Sequence, residues 1–117
     1  MFVAVGTVSA CSNSSAHLRI RNLSDTTLNG VVVLFPKDQV HFGDVGAKSI
    51  TEYREVQNGV GEYASFEFAV DGKVTRQLVA DFVRWRPLTG KEFTYEVKMT
   101  TRTKQPFLEV TSIIKDR

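Results

Sequence analysis

Two histidines, one cysteine and a tryptophan held between two arginines are the residues of this chain that could do chemistry. His41 and Asp44 stand three apart, and Glu52 and Glu55 follow on the next run. A hydrolase around His41, Asp44 and Glu52 would need a nucleophile, a base and a group to orient that base. A metal centre would need three or four converging ligands. His17 and His41 are the only imidazoles, and no spacing brings them together. These residues therefore read as ordinary surface polar groups, and neither a catalytic residue nor a metal or cofactor is expected. No phosphate-cradling glycine loop, HExxH or GxSxG is present. Cys11 is the only cysteine, which excludes an intrachain disulfide and a cysteine-built zinc cage.

Arg84-Trp85-Arg86 is the most suggestive cluster. An indole between two guanidinium groups has the composition of an interaction hot spot, and the three residues are the candidate partner-binding site. The plainer alternative is that Trp85 closes one end of the core while both arginines point to water. A platform for single-stranded nucleic acid would need several rings exposed on one basic face. Here most aromatics lie on apolar stripes, and the 15 basic and 13 acidic residues are interspersed, for a net charge of only +2. No nucleic-acid partner is expected. Asn22-Leu23-Ser24 matches the glycosylation acceptor pattern, which matters only on a eukaryotic secretory route.

The elements that must position these residues read as strands. At 117 residues the chain is one domain, and 42% hydrophobic residues are enough for a core. No long stretch carries a period of 3.6, whereas period-two alternation recurs. Leu18 and Ile20 alternate with Arg19 and Arg21 in a first strand. Leu28 to Phe35 is a central strand ended by Pro36. Val40 and Phe42 form a short strand, and Ser49 to Val56 the next. Phe93, Tyr95, Val97 and Met99 alternate with Thr94, Glu96 and Lys98. Leu108, Val110 and Ile114 form the last strand after Pro106. Phe66, Phe68, Tyr95, Val97 and Leu108 are expected inside.

The strongest local signal is Asp71-Gly72 between two alternating runs, a hairpin signature. A two-residue loop pairs Phe68 with Thr75; a three-residue loop pairs Phe68 with Val74 and Ala64 with Leu78. One residue of slip exchanges the faces, so apolar matching favours the three-residue loop, with Arg76 opposite Phe66.

Met1 to Ala10 is apolar and small, and Cys11 is followed by Ser12-Asn13-Ser14-Ser15. Val8-Ser9-Ala10-Cys11 resembles the bacterial lipobox: an aliphatic residue, two small residues, and a cysteine. The resemblance implies cleavage before Cys11 and acylation of its thiol. No Lys or Arg precedes the apolar run, so the basic region of such a signal is expected upstream of Met1. The alternative is that Phe2 to Val8 is an edge strand and Cys11 an inert thiol.

Asp44 to Tyr53, DVGAKSITEY, resembles the loop that small bacterial immunoglobulin-like domains carry before a crossing strand, with Lys48 where glycine is usual. Together with RNLSDTTLNGVVVLF and the Asp71-Gly72 hairpin, it makes the chain similar to small bacterial envelope lipoproteins with an immunoglobulin-like domain. The resemblance implies a fold and an address, not an activity. The expectation is an all-β fold: an Ig-like β-sandwich of seven or eight mostly antiparallel strands over residues 16–117, behind a lipobox-bearing segment and polar tether over 1–15. The chain would be a non-catalytic binding or structural module of the envelope, lipid-anchored at Cys11. Its partner would be an unknown protein or envelope component. A tether from Cys11 to His17 reaches about 20 Å at ~3.3–3.6 Å per residue. The alternatives are a cytoplasmic interaction module and the hydrolase around His41, Asp44 and Glu52.

Overall fold

Period-two alternation becomes two facing sheets. The computed structural model describes residues 15–79, 81–102 and 104–117, and among them there are eight strands and no helix. The first sheet has the order β4-β1-β7-β8, from Arg54–Val56, Ala16–Asn22, Glu92–Arg102 and Gln105–Lys115. The second has the order β3-β2-β5-β6, from Gln39–Val45, Leu28–Leu34, Ser65–Val70 and Lys73–Gln77. All pairs are antiparallel except β1 with β7, which run parallel with Leu18 beside Phe93 and Ile20 beside Tyr95.

The inward stripes meet between the sheets. Leu18, Ile20, Phe93, Tyr95, Val97 and Leu108 come from one side, and Val31, Val33, Phe42, Phe66 and Phe68 from the other. The five core residues expected from the alternation, Phe66, Phe68, Tyr95, Val97 and Leu108, are all buried. The period-two rule thus reads correctly along β1 and β5 and along Phe93, Tyr95 and Val97 of β7.

It reads wrongly at three places, each for a local reason. The Asp71-Gly72 hairpin has the two-residue loop: Phe68 pairs with Thr75 and Val70 with Lys73. Asp71 at φ 52° and Gly72 at φ 80° are both left-handed, as a type I′ turn requires. Val74 therefore faces out, 69% exposed, and Arg76 lies opposite Glu67, at 3.0 Å, not opposite Phe66. The apolar matching fails because β6 is an edge strand whose inward positions are Thr75 and Gln77. Gln77 satisfies its amide on a neighbouring backbone: Nε2 donates to Leu108 O at 2.8 Å, and Leu108 N donates to Oε1 at 2.7 Å.

In the last strand a bulge at Thr111 shifts the phase, since Glu96 faces Ser112 while Val97 faces Val110. Ile113, opposite Tyr95, then packs on the core, and Ile114 turns outward. Pro106 lies inside this strand, tolerated because β8 is a sheet edge. The run expected from Ser49 to Val56 is a strand only over Arg54–Val56. Its earlier part follows β1 through Asn22 N to Ser49 O and Thr51 N to Ile20 O, and then breaks at Glu52-Tyr53.

Asn22 ends the inward stripe of Ala16, Leu18 and Ile20 and is 0% exposed. Its Nδ2 is shared among Thr26 O at 2.9 Å, Gly46 O at 3.1 Å and Val45 O at 3.2 Å, and its Oδ1 accepts from Ser24 N at 2.9 Å. The side chain thus ties the end of β1 in one sheet to the end of β3 in the other. The same burial removes Asn22 from any glycosylation chemistry in the folded chain.

Asn22→Ala leaves two or three carbonyls and one N–H without partners in a dry site, and should cost about 3 kcal/mol or more. Asn22→Asp keeps the shape but loses the donor, and should cost a similar amount. Urea unfolding of both variants measures this. Midpoints close to wild type would mean that water serves these groups as well as the amide does.

Candidate functional site

The loop after β6 is assembled from the aromatic residues upward. Phe82 O accepts from Trp85 N at 2.9 Å, closing a tight turn with Val83 and Arg84 at its apex. Asp81 Oδ1 accepts from Val83 N at 3.1 Å and braces the entry. Phe82 stacks on Tyr63, with centroids 5.7 Å apart and planes 6° apart. Trp85 packs against Phe35 at 5.6 Å, and its Nε1 donates to Tyr63 O at 3.0 Å. The indole lies directly on the backbone of Gly61, where an added Cβ would come 2.1 Å from Nε1. The buried Tyr95 hydroxyl donates to Gly61 O. Burial pushes the Tyr95 phenol far up, so it stays a neutral donor.

Trp85 is therefore fixed by its surroundings, while Arg84 and Arg86 on either side of it are exposed and make no ion pair with another described residue. Pro36, Lys37, Asn58, Phe82, Trp85 and Pro87 line a recess of about 370 Å³ beside the turn. Val83 stands out 82% exposed, and Leu78, where the loop leaves β6, is 61% exposed. Of the three residues singled out by sequence, one holds the loop and two face solvent.

His41, Asp44 and Glu52 are placed apart in role. Asp44 and Glu52 line one open recess of about 480 Å³ with Ser49, Thr51 and Arg54, and His41 is not among its walls. His41 sits on β3 opposite Val32. Asp44 Oδ1 accepts from Gly30 N at 2.9 Å, capping the bulge where Gly30 adopts φ 57°. Among the described residues no three His, Cys, Asp or Glu converge as metal ligands. Lys48 stands at φ 57° in the turn closed by Ser49 N to Gly46 O, a left-handed position that suits the glycine usual in this loop. Its Nζ donates to Leu23 O at 2.8 Å, a contact glycine could not make. Cys11 and the segment before it lie outside the described residues.

Sequence reading missed the most connected polar cluster. Asp116 Oδ2 accepts from Thr94 Oγ1 at 2.6 Å and from the Tyr53 hydroxyl at 2.8 Å. Arg19 Nε donates to Thr94 Oγ1 at 2.9 Å, and its guanidinium lies 4.6 Å over the Tyr53 ring. Four segments far apart in sequence meet on the outer face of the first sheet, so no spacing could reveal them. Burial works to raise the Asp116 carboxyl, but the bonds from Thr94 and Tyr53 and the charges of Arg19 and Arg21 outweigh it and hold it below its ordinary value. Tyr53 is pushed up, first by burial and then by its bond to Asp116. The four side chains bond one another and hold the residue after β8 against β1 and β7.

No family model matches the chain, and no curated protein does. Among solved structures, the NMR structure of a protein from Eubacterium rectale is similar, with a TM-score of 0.56 at 8% identity. The match covers 86% of this chain and 92% of that one. At that identity the likeness is one of fold alone.

Two outcomes follow from the geometry. Gly61→Ala should displace the indole, lower stability and red-shift the emission of Trp85, the only tryptophan. An unshifted spectrum would show that the indole does not lie on Gly61. For Asp116, a folded pKa below the unfolded one gives stability that is complete above the unfolded value and fades as pH falls through the folded one. Denaturation followed between about pH 5 and pH 2 should therefore show a loss that Asp116→Asn flattens. Equal slopes for the two proteins would remove Asp116 from the acid response.

Proposed function

We propose that the chain is an immunoglobulin-like β-sandwich serving as a non-catalytic binding or structural module of a bacterial cell envelope, held to a membrane by lipid on Cys11. The observation that carries this is Val8-Ser9-Ala10-Cys11, followed at once by a polar tether. The position of the folded part supports it. Ser15 already bonds Glu55 Oε2 at 3.1 Å, and β1 begins at Ala16, five residues after Cys11. An anchor at Cys11 would hold the sandwich within about 20 Å of the bilayer.

The Ig-like reading is supported by the two facing four-stranded sheets and by the way the chain crosses between them. It crosses at β1 to β2, β3 to β4, β4 to β5 and β6 to β7, so that no sheet is a simple meander. A binding or structural role is supported by where the polar residues are used. Asp44 caps a bulge, Asn22 ties two sheets, and the Asp116 cluster is closed on itself.

The deciding measurement is the intact mass of the protein from its native host, expressed from its own gene. The expected mass is that of a chain beginning at acylated Cys11. Acyl burial is worth about 0.8 kcal/mol per CH₂, and two chains anchor stably where one does not. The protein should accordingly stay with membranes in high salt, and Cys11→Ser should release it or leave it unprocessed. An unmodified mass with residues before Cys11 retained rejects the anchor. What then stands is a free interaction module, the reading that the exposed Arg84 and Arg86 favour.

A further inference from the structure

We infer that the turn Phe82–Trp85 and its flanking arginines form a docking face for an anionic lipid surface, so that the domain lies end-on against the membrane to which Cys11 would tether it. The inference rests on the anchored reading for its biological setting, but its geometry is independent of that reading.

The first observation is position. The loop ends at Lys91, whose carbonyl accepts from His17 N at 2.8 Å, beside the first residues of β1. Ala16 pairs with Val56 at the end of β4, and Asn58 lines the recess with Trp85. Leu88 N donates to Val60 O, and Gly61 bridges Pro87. The chain therefore enters the fold at the same end that carries the loop. A segment leading back from Ser15 to an anchor leaves from this end, while the tips of the β5-β6 and β7-β8 hairpins, at Gly72 and Lys104, lie at the other.

The second observation is chemistry. Phe82 to Lys91 reads FVRWRPLTGK, with three basic residues and no acidic one. Lys37 adds a fourth cation at the recess. Asp81 Oδ1 accepts from Val83 N and Asp38 Oδ2 from Asn58 N, both carboxylates keeping their charge, and Glu92, next after Lys91, pairs with Arg117 at 3.8 Å. Glu62 stands exposed next to Tyr63, so Asp38, Asp81 and Glu62 offset three of the four, and the excess lies at the tip, where Arg84 and Arg86 make no ion pair with another described residue. Next to Arg84, Val83 projects at the apex, and Leu78 is exposed where the loop leaves β6. An aliphatic tip flanked by Arg84 and Arg86, over an indole, matches a headgroup layer: the tip reaches the acyl boundary while the guanidinium groups meet phosphates.

The third observation is rigidity. The apex is held at both shoulders, by Phe82 on Tyr63 and by Trp85 on Phe35 and Gly61. Val83 and Arg84 are thus presented without ordering a loose loop on contact, which lowers the entropic cost of binding.

The test uses the full chain carrying Cys11→Ser, so that no lipid is attached, with vesicles of phosphatidylcholine alone or mixed with phosphatidylglycerol. The chain should sediment with the mixed vesicles at low salt, and much less with the neutral ones. Trp85, as the sole tryptophan, should be quenched by lipids brominated in the acyl chain. Each basic side chain at an anionic surface is worth about fivefold in partition, so Arg84→Ala with Arg86→Ala should lose about 25-fold. Val83→Asp should abolish the quenching. Lys73→Ala with Lys104→Ala, which removes the same charge from the far end, should leave partition unchanged; thermal midpoints check that each variant is folded. Equal sedimentation with both vesicles, binding without quenching of Trp85, or equal loss from the two double variants would each overturn the docking face. The mass of the native protein reads Cys11 alone. An acylated protein whose Cys11→Ser form ignores phosphatidylglycerol keeps the anchor and loses the docking face. Quenching in a protein found unacylated does the reverse.

Discussion

One buried amide sets the relation between the two sheets. Asn22 stands where the apolar stripe of β1 would place a fourth core residue, and it directs its hydrogen bonds into loops of the opposite sheet. Hydrophobic contact alone tolerates sliding, because apolar area has no direction. A buried donor aimed at particular carbonyls does not, since each misplaced group would remain dry and unpaired at about 1–3 kcal/mol. The sheets are therefore registered at this end by polar geometry and filled behind it by Val45, Leu28 and Val97. Lys48 and Ser49 strengthen the same corner, through Lys48 N to Ser24 O and Asn22 N to Ser49 O.

The opposite long edge is closed by a different device with the same logic. Gln77 offers Leu108 a side-chain amide that donates and accepts as a neighbouring strand would. The edges of β6 and β8 thus meet without backbone pairing, and one side of the sandwich is sealed. This explains a polar inward face on β6 that otherwise looks like a fault. The arrangement is not free of cost: Thr75, two residues earlier on that face, buries its hydroxyl with no hydrogen-bond partner among the described residues.

What the sequence disclosed follows the same division. Alternation was legible where hydrophobic burial decides, as along Phe93, Tyr95 and Val97 or Phe66 and Phe68, because parity there has one low-energy answer. It misled where a side-chain hydrogen bond or a bulge decides. The Asp71-Gly72 register depends on Gln77 finding the Leu108 backbone, thirty-one residues away. The choice between Ile113 and Ile114 depends on one extra residue at Thr111. Trp85 was ambiguous because a tryptophan between arginines has one composition and two possible uses. The glycine beneath it, Gly61, is 24 positions earlier and reads as a mere strand break. Asp116, Thr94, Tyr53 and Arg19 could not be grouped from sequence, since only the assembled sheet makes them neighbours.

The two ends of the sandwich are thus built on opposite principles, and this bears on where interaction can evolve. At the Asn22 end, polar atoms are used up in fixing the fold, so a surface change there disturbs registry. At the Trp85 end, the core is capped by rings: Tyr95, Phe35, Trp85, and Tyr63 stacked with Phe82. Ring packing holds the loop from beneath and asks nothing of the residues that face outward. Val83, Arg84 and Arg86 can therefore change without unsettling what lies under them, as exposed positions with few contacts generally can. A surface that varies at little cost to the fold, on a support that keeps its shape, is where recognition is most readily placed. The chain enters the domain at this same end, so whatever holds the chain also determines what the loop can meet.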